Sequence, residues 1–324
     1  MENRECPVLY LVVPCYNEEE VIMKTQEVLK DKITRLIQDN VIAGNSKIMF
    51  VNDGSKDNTL KLLYDIAQKD SIFAVVSLLG NYGHQSAILS GMMSAKKADI
   101  VVTIDADLQQ DIEALDQFIE CYKKGAEVVY GVRNDRSSDG GFKKLTALMY
   151  YKLMSLLGSK VIKNHADYRL VSRKVLDALA QYKETNLFLR GLIPTMGFES
   201  DIVYFDVKER EAGESKYTLS KMLNLAIDGI TSFTVRPLHM IVGIGCAVVI
   251  FSIVMAIISI IEWSMGKNVP GYTTLILVTL IMAGVTLTSL GIIGEYIGKI
   301  YMETKARPKY IIDTIILKDS DDNE

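Results

Sequence analysis

Ala98-Asp-Ile100-Val-Val-Thr-Ile104-Asp105-Ala-Asp107-Leu-Gln109 is the stretch that decides the fold. An apolar, β-branched run ends abruptly in two carboxylates one residue apart. A short apolar run bounded by polar residues reads as a buried strand. Similar runs occur at Leu9–Val13, Lys47–Asn52, Phe73–Leu78 and Glu127–Tyr130, and segments 18–38 and 57–69 between them carry helical spacing with charged faces. Strands alternating with helices predict an α/β domain with a mainly parallel sheet over residues 1–215. Such sheets place ligands beyond the carboxyl ends of their strands. Here those ends carry Pro14-Cys-Tyr16-Asn-Glu18, Asn52-Asp53-Gly-Ser55, Asn81-Tyr-Gly83 and Asp105-Ala106-Asp107, so polar residues gather at one edge.

Composition shows that this domain is not the whole chain. The 324 residues are 49% hydrophobic and 23% charged, which excludes a disordered or collagen-like protein. A formal charge of −4 argues against nucleic acid as the main partner. Four cysteines without a CxxC pair and three histidines make a disulfide framework or zinc site improbable, and a reducing compartment fits better. A mean hydropathy of +0.17 is high for a chain so charged. The excess is concentrated in Leu238–Ile261 and Tyr272–Gly294, 24 and 23 residues without a formal charge. At about 1.5 Å per residue each would cross a hydrocarbon core of roughly 30 Å, whereas a pair of buried core helices is the plainer alternative.

Trp263 and Tyr272 stand where interfacial anchors belong. Lys216, Lys221 and Arg236 precede the pair, Lys299, Lys305, Arg307 and Lys309 follow it, and the link offers only Lys267. Both ends are therefore expected on the cytoplasmic side. The first apolar run, Val8–Val13, is too short for a signal peptide. The expected organisation is a cytosolic domain over 1–215, an amphipathic interfacial helix over 216–237, a transmembrane hairpin over 238–300 (spans 238–261 and 272–294) and a cytosolic tail over 301–324. Phe142–Leu157 is also amphipathic, and the acidic Asp319–Glu324 is expected to be disordered.

Asp105 and Asp107, on a loop beyond a strand, can hold Mg²⁺ or Mn²⁺ against diphosphate oxygens. Alone, the pair carries little weight, because surface acidic pairs are common. Likewise Asn52-Asp-Gly-Ser-Lys-Asp-Asn-Thr59 could be a simple turn with Asp57 capping the next helix. Taken together, the Pro14–Glu18, Asn52–Ser55 and Asp105–Asp107 motifs resemble the family 2 glycosyltransferases, which have a nucleotide-sugar-binding α/β fold of the GT-A type. His84-Gln85 within Asn81–Ala87, Asp167-Tyr-Arg169-Leu170 and Glu209-Arg-Glu-Ala-Gly-Glu-Ser-Lys-Tyr217 narrow the resemblance. They match the polyprenyl-phosphate glycosyltransferases, which include dolichyl-phosphate mannose synthases and bacterial undecaprenyl-phosphate glucosyltransferases. The match runs over essentially residues 7–310.

That resemblance implies roles. Pro14, Tyr16, Glu18, Val51 and Asp53 match positions holding the nucleotide base and ribose, and Ala106 joins the donor site. Asp105, Asp107 and Gln109 match the metal and diphosphate positions. Arg133 resembles an arginine near the donor phosphates and acceptor, and Arg210 and Lys216 match a basic pair on a loop over the donor. Asp167 and Arg169 fall beside the reaction centre, although Asp167 could instead cap a helix near Val171 and Arg169 could simply pair with it. Lys143 and Lys144 are the expected contacts of the lipid phosphate. Two departures stand out: Gly80 replaces the arginine common before the Asn-aromatic-Gly motif, and Gln110-Asp111-Ile112 replaces a region that often has prolines.

The implied activity is an inverting, metal-dependent transfer of a hexose or N-acetylhexosamine from a nucleotide sugar, UDP-glucose or UDP-N-acetylglucosamine, to polyprenyl phosphate. The implied setting is the cytosolic face of a bacterial plasma membrane, in a homotetramer. Competing readings are a transferase acting on a saccharide or glycolipid hydroxyl, and a non-catalytic scaffold for a lipid-sugar flippase.

Overall fold

A computed structural model describes residues 4–134, 165–184, 189–206, 236–265 and 271–318 of the chain. Its described residues fall into two compact units, a sheet domain that includes the chain from Arg307 onward and a helical unit between.

The sheet domain is built on eight strands in the order β7-β5-β6-β4-β1-β2-β3-β8. Strands β1 (Leu9–Cys15), β2 (Lys47–Asn52), β3 (Phe73–Leu78) and β4 (Ile100–Thr103) form the parallel centre. Helices α1 (Ile22–Gln38), α2 (Thr59–Lys69) and α3 (His84–Ser94) make the crossovers, and α4 (Ala114–Lys123) leads to β5 (Val128–Arg133). Strand β6 (His165–Ser172) inserts antiparallel between β4 and β5, and β7 (Ser200–Phe205) pairs parallel with β5. Between them lie α5 (Arg173–Leu179) and α6 (Leu189–Thr195). The GT-A-like, mostly parallel sheet expected from the sequence is thus present, with β6, β7 and β8 (Ile312–Ile316) added to the expected strands.

Alternation along each strand divides the core into two layers. Leu9, Leu11 and Val13 of β1, with Ile48 and Phe50 of β2, face α1, α2 and α4 through Ile22, Leu29, Leu63 and Phe118. Tyr10, Val12, Met49 and Val51 face the other way, onto Ala87, Ile88 and Met92 of α3 and onto α5 and α6. Each such side chain, fully buried, contributes about 1.5–3 kcal/mol. Helix α3 lies close because of Gly91, where a Cβ would stand 2.4 Å from Val12 Cγ1 and 2.8 Å from Val51 Cγ2.

Strand β8 lies near the end of the chain yet pairs antiparallel with β3, Val75 opposite Ile316 and Ser77 opposite Thr314. The tail expected over 301–324 therefore contains a sheet strand, with Ile316 packed on the core and Lys309 Nζ donating to the Tyr182 carbonyl at 2.9 Å.

The helical unit contains α7 (Arg236–Ser264) and α8 (Tyr272–Thr304), which cover the two apolar stretches. Helix α8 runs ten residues past the expected Gly294 boundary, through Glu295, Lys299 and Glu303. Among the described residues one segment, Ile281–Thr304, is long and apolar enough to cross a membrane, and none of its most apolar window is buried. The expected interfacial helix over 216–237 and the amphipathic Phe142–Leu157 lie largely or wholly outside the described residues.

Candidate active site

The loops after β1, β2, β3 and β4 meet at one sheet edge and are tied together by hydrogen bonds. Asp53 N–H donates to the Cys15 carbonyl at 2.9 Å, Glu18 N–H to Thr59 Oγ1 at 2.9 Å, and Lys56 N–H to Asn17 Oδ1 at 2.8 Å. The Asp53 carboxylate accepts from Tyr82 N–H at 2.7 Å and Gly83 N–H at 3.0 Å, which ties the β2 loop to the entry of α3. Burial raises its pKa despite those two donors and the nearby His84. Gly54, at φ +64°, completes this junction, since a Cβ there would lie 2.4 Å from the Gly80 carbonyl carbon. At Gly80 itself a Cβ would meet nothing within 4 Å, so sterics do not require glycine in place of the family's arginine.

These constraints define what the first loops can offer. Tyr16 is 38% exposed, Glu18 is half-buried and Pro14 is buried at the strand end. The Val51 side chain is fully buried beneath α3, leaving only its backbone for a ligand. Ala106 is also buried, its carbonyl accepting from Thr25 Oγ1 at 2.7 Å. Asp57 accepts the Thr59 N–H at 3.0 Å, but the N-cap position of α2 belongs to Asn58.

Beyond β4 the loop is set by an unusual backbone. Leu108 has φ +54°, a left-handed conformation costing about 1–3 kcal/mol for such a residue, and it turns the chain between Asp107 and Gln109. Gln109 N–H donates to Asp107 Oδ1 at 3.2 Å. Gln110, almost fully buried, grips Asp105 twice: its Nε2 donates to Asp105 Oδ2 at 2.6 Å, and its Oε1 accepts the Asp105 N–H at 3.0 Å. Burial raises the Asp105 pKa; Asp167 and Asp107 push the same way, against His84 and Arg190.

Antiparallel register brings Asp167 to this point. Thr103 pairs with Arg169, so continuing the ladder sets Asp167 opposite Asp105. His84, in the first turn of α3, bridges them, with Nε2 3.5 Å from Asp105 Oδ1 and 3.4 Å from Asp167 Oδ2. Asp167 also accepts from Gln85 Nε2 at 3.2 Å, from the fully buried Arg169, and from Arg190 through Nε at 3.0 Å and Nη2 at 2.7 Å. Burial opposes its charge, but Arg190, His84 and Arg169 outweigh it and hold the carboxyl well below the usual carboxylate range. Burial likewise opposes protonation of His84, yet the bond to Asp167 and the charge of Asp105 raise its pKa. His165, on the same face of β6, is neutralised by burial and the two arginines, its pKa lowered to about 2.

The structure corrects one alternative: Asp167 is not a helix cap but lies within β6, and Ser172 caps α5 by accepting the Val175 N–H. It also makes the Asp167–Arg169 pair explicit. Arg133 stands half-buried at the carboxyl end of β5, in register with Phe205. Lys143, Lys144, Arg210 and Lys216 lie outside the described residues. Arg190 is a participant that sequence reasoning did not single out, and Gln110 stood out there only as a departure from the family pattern.

Among the described residues, no three His, Cys, Asp or Glu side chains converge as a ready metal cage. The donors do fit a hard cation completed by its ligand. Mg²⁺ commonly takes one or two carboxylates and fills its sphere with water and substrate phosphate. Asp105 and Asp107 supply that partial set, and like-charge proximity gives them reason to share a cation. Gln110 would then orient Asp105 from behind.

The chain is similar to known proteins over most of its length. The profile described as "Glycosyl transferase family 2" matches residues 10–180. A Bacillus subtilis protein described as "Uncharacterized glycosyltransferase YkoT" is 46% identical over 308 residues, covering 95% of this chain and 91% of that one. The "Bactoprenol glucosyl transferase" of Shigella phage SfV is 39% identical over 304 residues, covering 93% and 97%. Among solved structures, a mannosyltransferase from Pyrobaculum calidifontis overlays with a TM-score of 0.45 at 17% identity, covering 75% of this chain and 64% of that one.

Proposed function

The chain belongs to glycosyl transferase family 2, and from that premise we infer that it moves a hexose or N-acetylhexosamine from a nucleotide sugar, UDP-glucose or UDP-N-acetylglucosamine, onto polyprenyl phosphate. The observation carrying this reading is the juxtaposition of an acidic loop, Asp105 and Asp107, with the cations gathered on Asp167. Its near full-length similarity to a bactoprenol glucosyl transferase supports the choice of acceptor.

A phosphate acceptor is already an anion near neutral pH and attacks without losing a proton. Asp167 is consistent with that demand. It is held ionised by two guanidiniums and spends its oxygens on Arg190, Arg169, Gln85 and His84, so it orients cations rather than receiving a proton. Catalysis then rests on position and charge. A divalent Mg²⁺ or Mn²⁺ at Asp105, Asp107 and Gln109 would neutralise the departing nucleoside diphosphate. Arg210 and Lys216 are proposed to reinforce it, and Arg133, Lys143 and Lys144 to receive the lipid phosphate. A single displacement inverts the anomeric centre and yields a β-linked product from an α-linked donor.

A lipid acceptor also accounts for the apolar segment, proposed here as a hairpin in a bacterial plasma membrane with both chain ends cytoplasmic. Assembly as a homotetramer is part of the same proposal.

The test is a donor screen with undecaprenyl phosphate, read by mass spectrometry of the lipid. One hexose or N-acetylhexosamine added to the lipid phosphate, labile to mild acid, is expected. Asp105→Ala should abolish transfer while the protein stays folded. Wild-type protein that forms no such lipid with any nucleotide sugar, or near-normal turnover by Asp105→Ala, would sink the reading.

A further inference from the structure

Strand β8 is not a regular partner of β3 along its whole length. Thr314 stands opposite Ser77, but Ile312, not Asp313, stands opposite Leu78. The extra residue on β8 makes a bulge, a feature that re-aims a strand and is common next to active sites. In an unbroken antiparallel ladder Leu79 would meet Ile312. With the bulge it meets Ile311, and Leu79 N–H donates to the Ile311 carbonyl at 3.0 Å. Asp313 is left exposed, while Ile312 packs on the apolar layer that contains α3. The far end of the strand is anchored: Ile316 packs on the opposite layer, Lys47 Nζ donates to the Lys318 carbonyl at 2.8 Å, and Lys318 Nζ to the Gln68 carbonyl at 2.7 Å.

The backbone that β8 holds in this way leads straight into the site. Leu79 opens the loop Leu79–Gly83, and at the other end Tyr82 and Gly83 N–H donate to Asp53 at 2.7 and 3.0 Å. Between the two ends the backbone lies against Gly54, where a Cβ would stand 2.4 Å from the Gly80 carbonyl carbon and 2.6 Å from Asn81 N. The loop is therefore pinned at its start by β8 and at its end by Asp53. His84, which meets Asp105 and Asp167, follows at once. Because the Leu79 side chain is 62% exposed, its backbone bond rather than its packing fixes the start of the loop. We propose that β8 is a positioning element of the nucleotide-sugar site: the Ile311 carbonyl holds loop 79–83 in the shape that meets Asp53, and so sets donor affinity. This rests on the function proposed above, with Asp53 in the nucleotide pocket. The chain reaches Ile311 directly from α8, which ends at Thr304, so the polypeptide that carries the apolar helix also shapes the donor loop.

Three variants of the full chain in detergent test this. Leu79→Pro removes the N–H that reaches Ile311 and suits Leu78, which is already extended. Leu79→Ala keeps that N–H. Ile316→Asn loosens β8 from the core at the point opposite Val75, away from the loop. Equilibrium binding of UDP-glucose and UDP-N-acetylglucosamine should weaken about threefold to tenfold in Leu79→Pro and Ile316→Asn, the scale of one lost backbone hydrogen bond, and stay at the wild-type level in Leu79→Ala. The donor KM should rise by a similar factor while the KM for undecaprenyl phosphate stays within about twofold. Amide hydrogen exchange at Tyr82 and Gly83, whose own bonds go to Asp53, should quicken in the same two variants. If Leu79→Pro does not fold, Ile316→Asn decides on the same readings. Wild-type donor affinity with unchanged exchange at Tyr82 and Gly83 would overturn the proposal, as would an equal loss in Leu79→Ala or donor and acceptor KM values that rise together. A wild type that binds no nucleotide sugar, while exchange at Tyr82 and Gly83 still quickens in the variants, would instead overturn the proposed function alone.

Discussion

Replacing Asp167 with Asn should expose how much of this domain's stability hangs on one carboxylate. The side chain is 4% exposed and balances Arg169, whose side chain is 0% exposed. Asn keeps the shape and one acceptor but leaves the Arg169 charge buried without a partner of opposite sign. Breaking a buried pair from one side costs about 3–5 kcal/mol. For a domain of about 150–250 residues each kcal/mol moves Tm by roughly 2–4 °C, so a drop of about 6–20 °C is expected. Circular dichroism of the full chain in detergent, heated at a fixed scan rate, would read it.

The pH dependence follows from the depressed carboxyl. Its stabilisation is fully present above the unfolded value of about 3.9 and is lost as pH falls through the folded value, so the gap between wild type and Asp167→Asn should close in strong acid; because Asp167 also raises the His84 pKa, the gap should narrow as well when pH rises through the His84 titration. Adding Arg169→Met removes the stranded charge, and the double variant should recover part of the loss. A single variant within about 2 °C of wild type, or a double variant less stable than the single, would refute this account.

Two other substitutions probe the scaffold of the site. Asp53→Asn removes one of two acceptors for the Tyr82 and Gly83 N–H groups, costing about 1–3 kcal/mol, and hydrogen exchange at those two amides should quicken; unchanged exchange would count against the tie. Gly91→Val forces methyls into Val12 and Val51, so α3 must shift, with a loss of about 1–3 kcal/mol or more and a lower Tm; a variant as stable as wild type would show that α3 is not held so close.

Much of the sheet was legible because its central strands are continuous apolar runs ending in polar loops. Strand β6 was not, and the reason is physical. His165, Asp167 and Arg169 alternate with Ala166, Tyr168 and Leu170, a pattern that normally marks a strand with one wet face. Here both faces are buried, and the polar one is accommodated by ion pairing and a neutral histidine. Arg190 was hidden for another reason. It lies in a seven-residue helix containing Pro194, with no local motif, and its meaning depends on a contact 23 residues away in sequence. The only available signal was a cation set among Leu187, Phe188, Leu189 and Leu192. Gln110 stood in view as a departure from the family pattern, but its grip on Asp105 depends on the left-handed turn at Leu108. Strand β8 escaped because its partner β3 lies more than two hundred residues earlier in the chain.

That same strand carries a rule of parity. The chain leaves the sheet after β7, runs through both apolar helices and comes back to the same sheet as β8. A path that starts and finishes on one side of a barrier must traverse it an even number of times. A single crossing on the whole of that path would strand Ile312–Ile316 across the bilayer from Phe73–Leu78, the strand it pairs with. With the β3–β8 ladder closed, the path between β7 and β8 crosses any bilayer an even number of times or not at all.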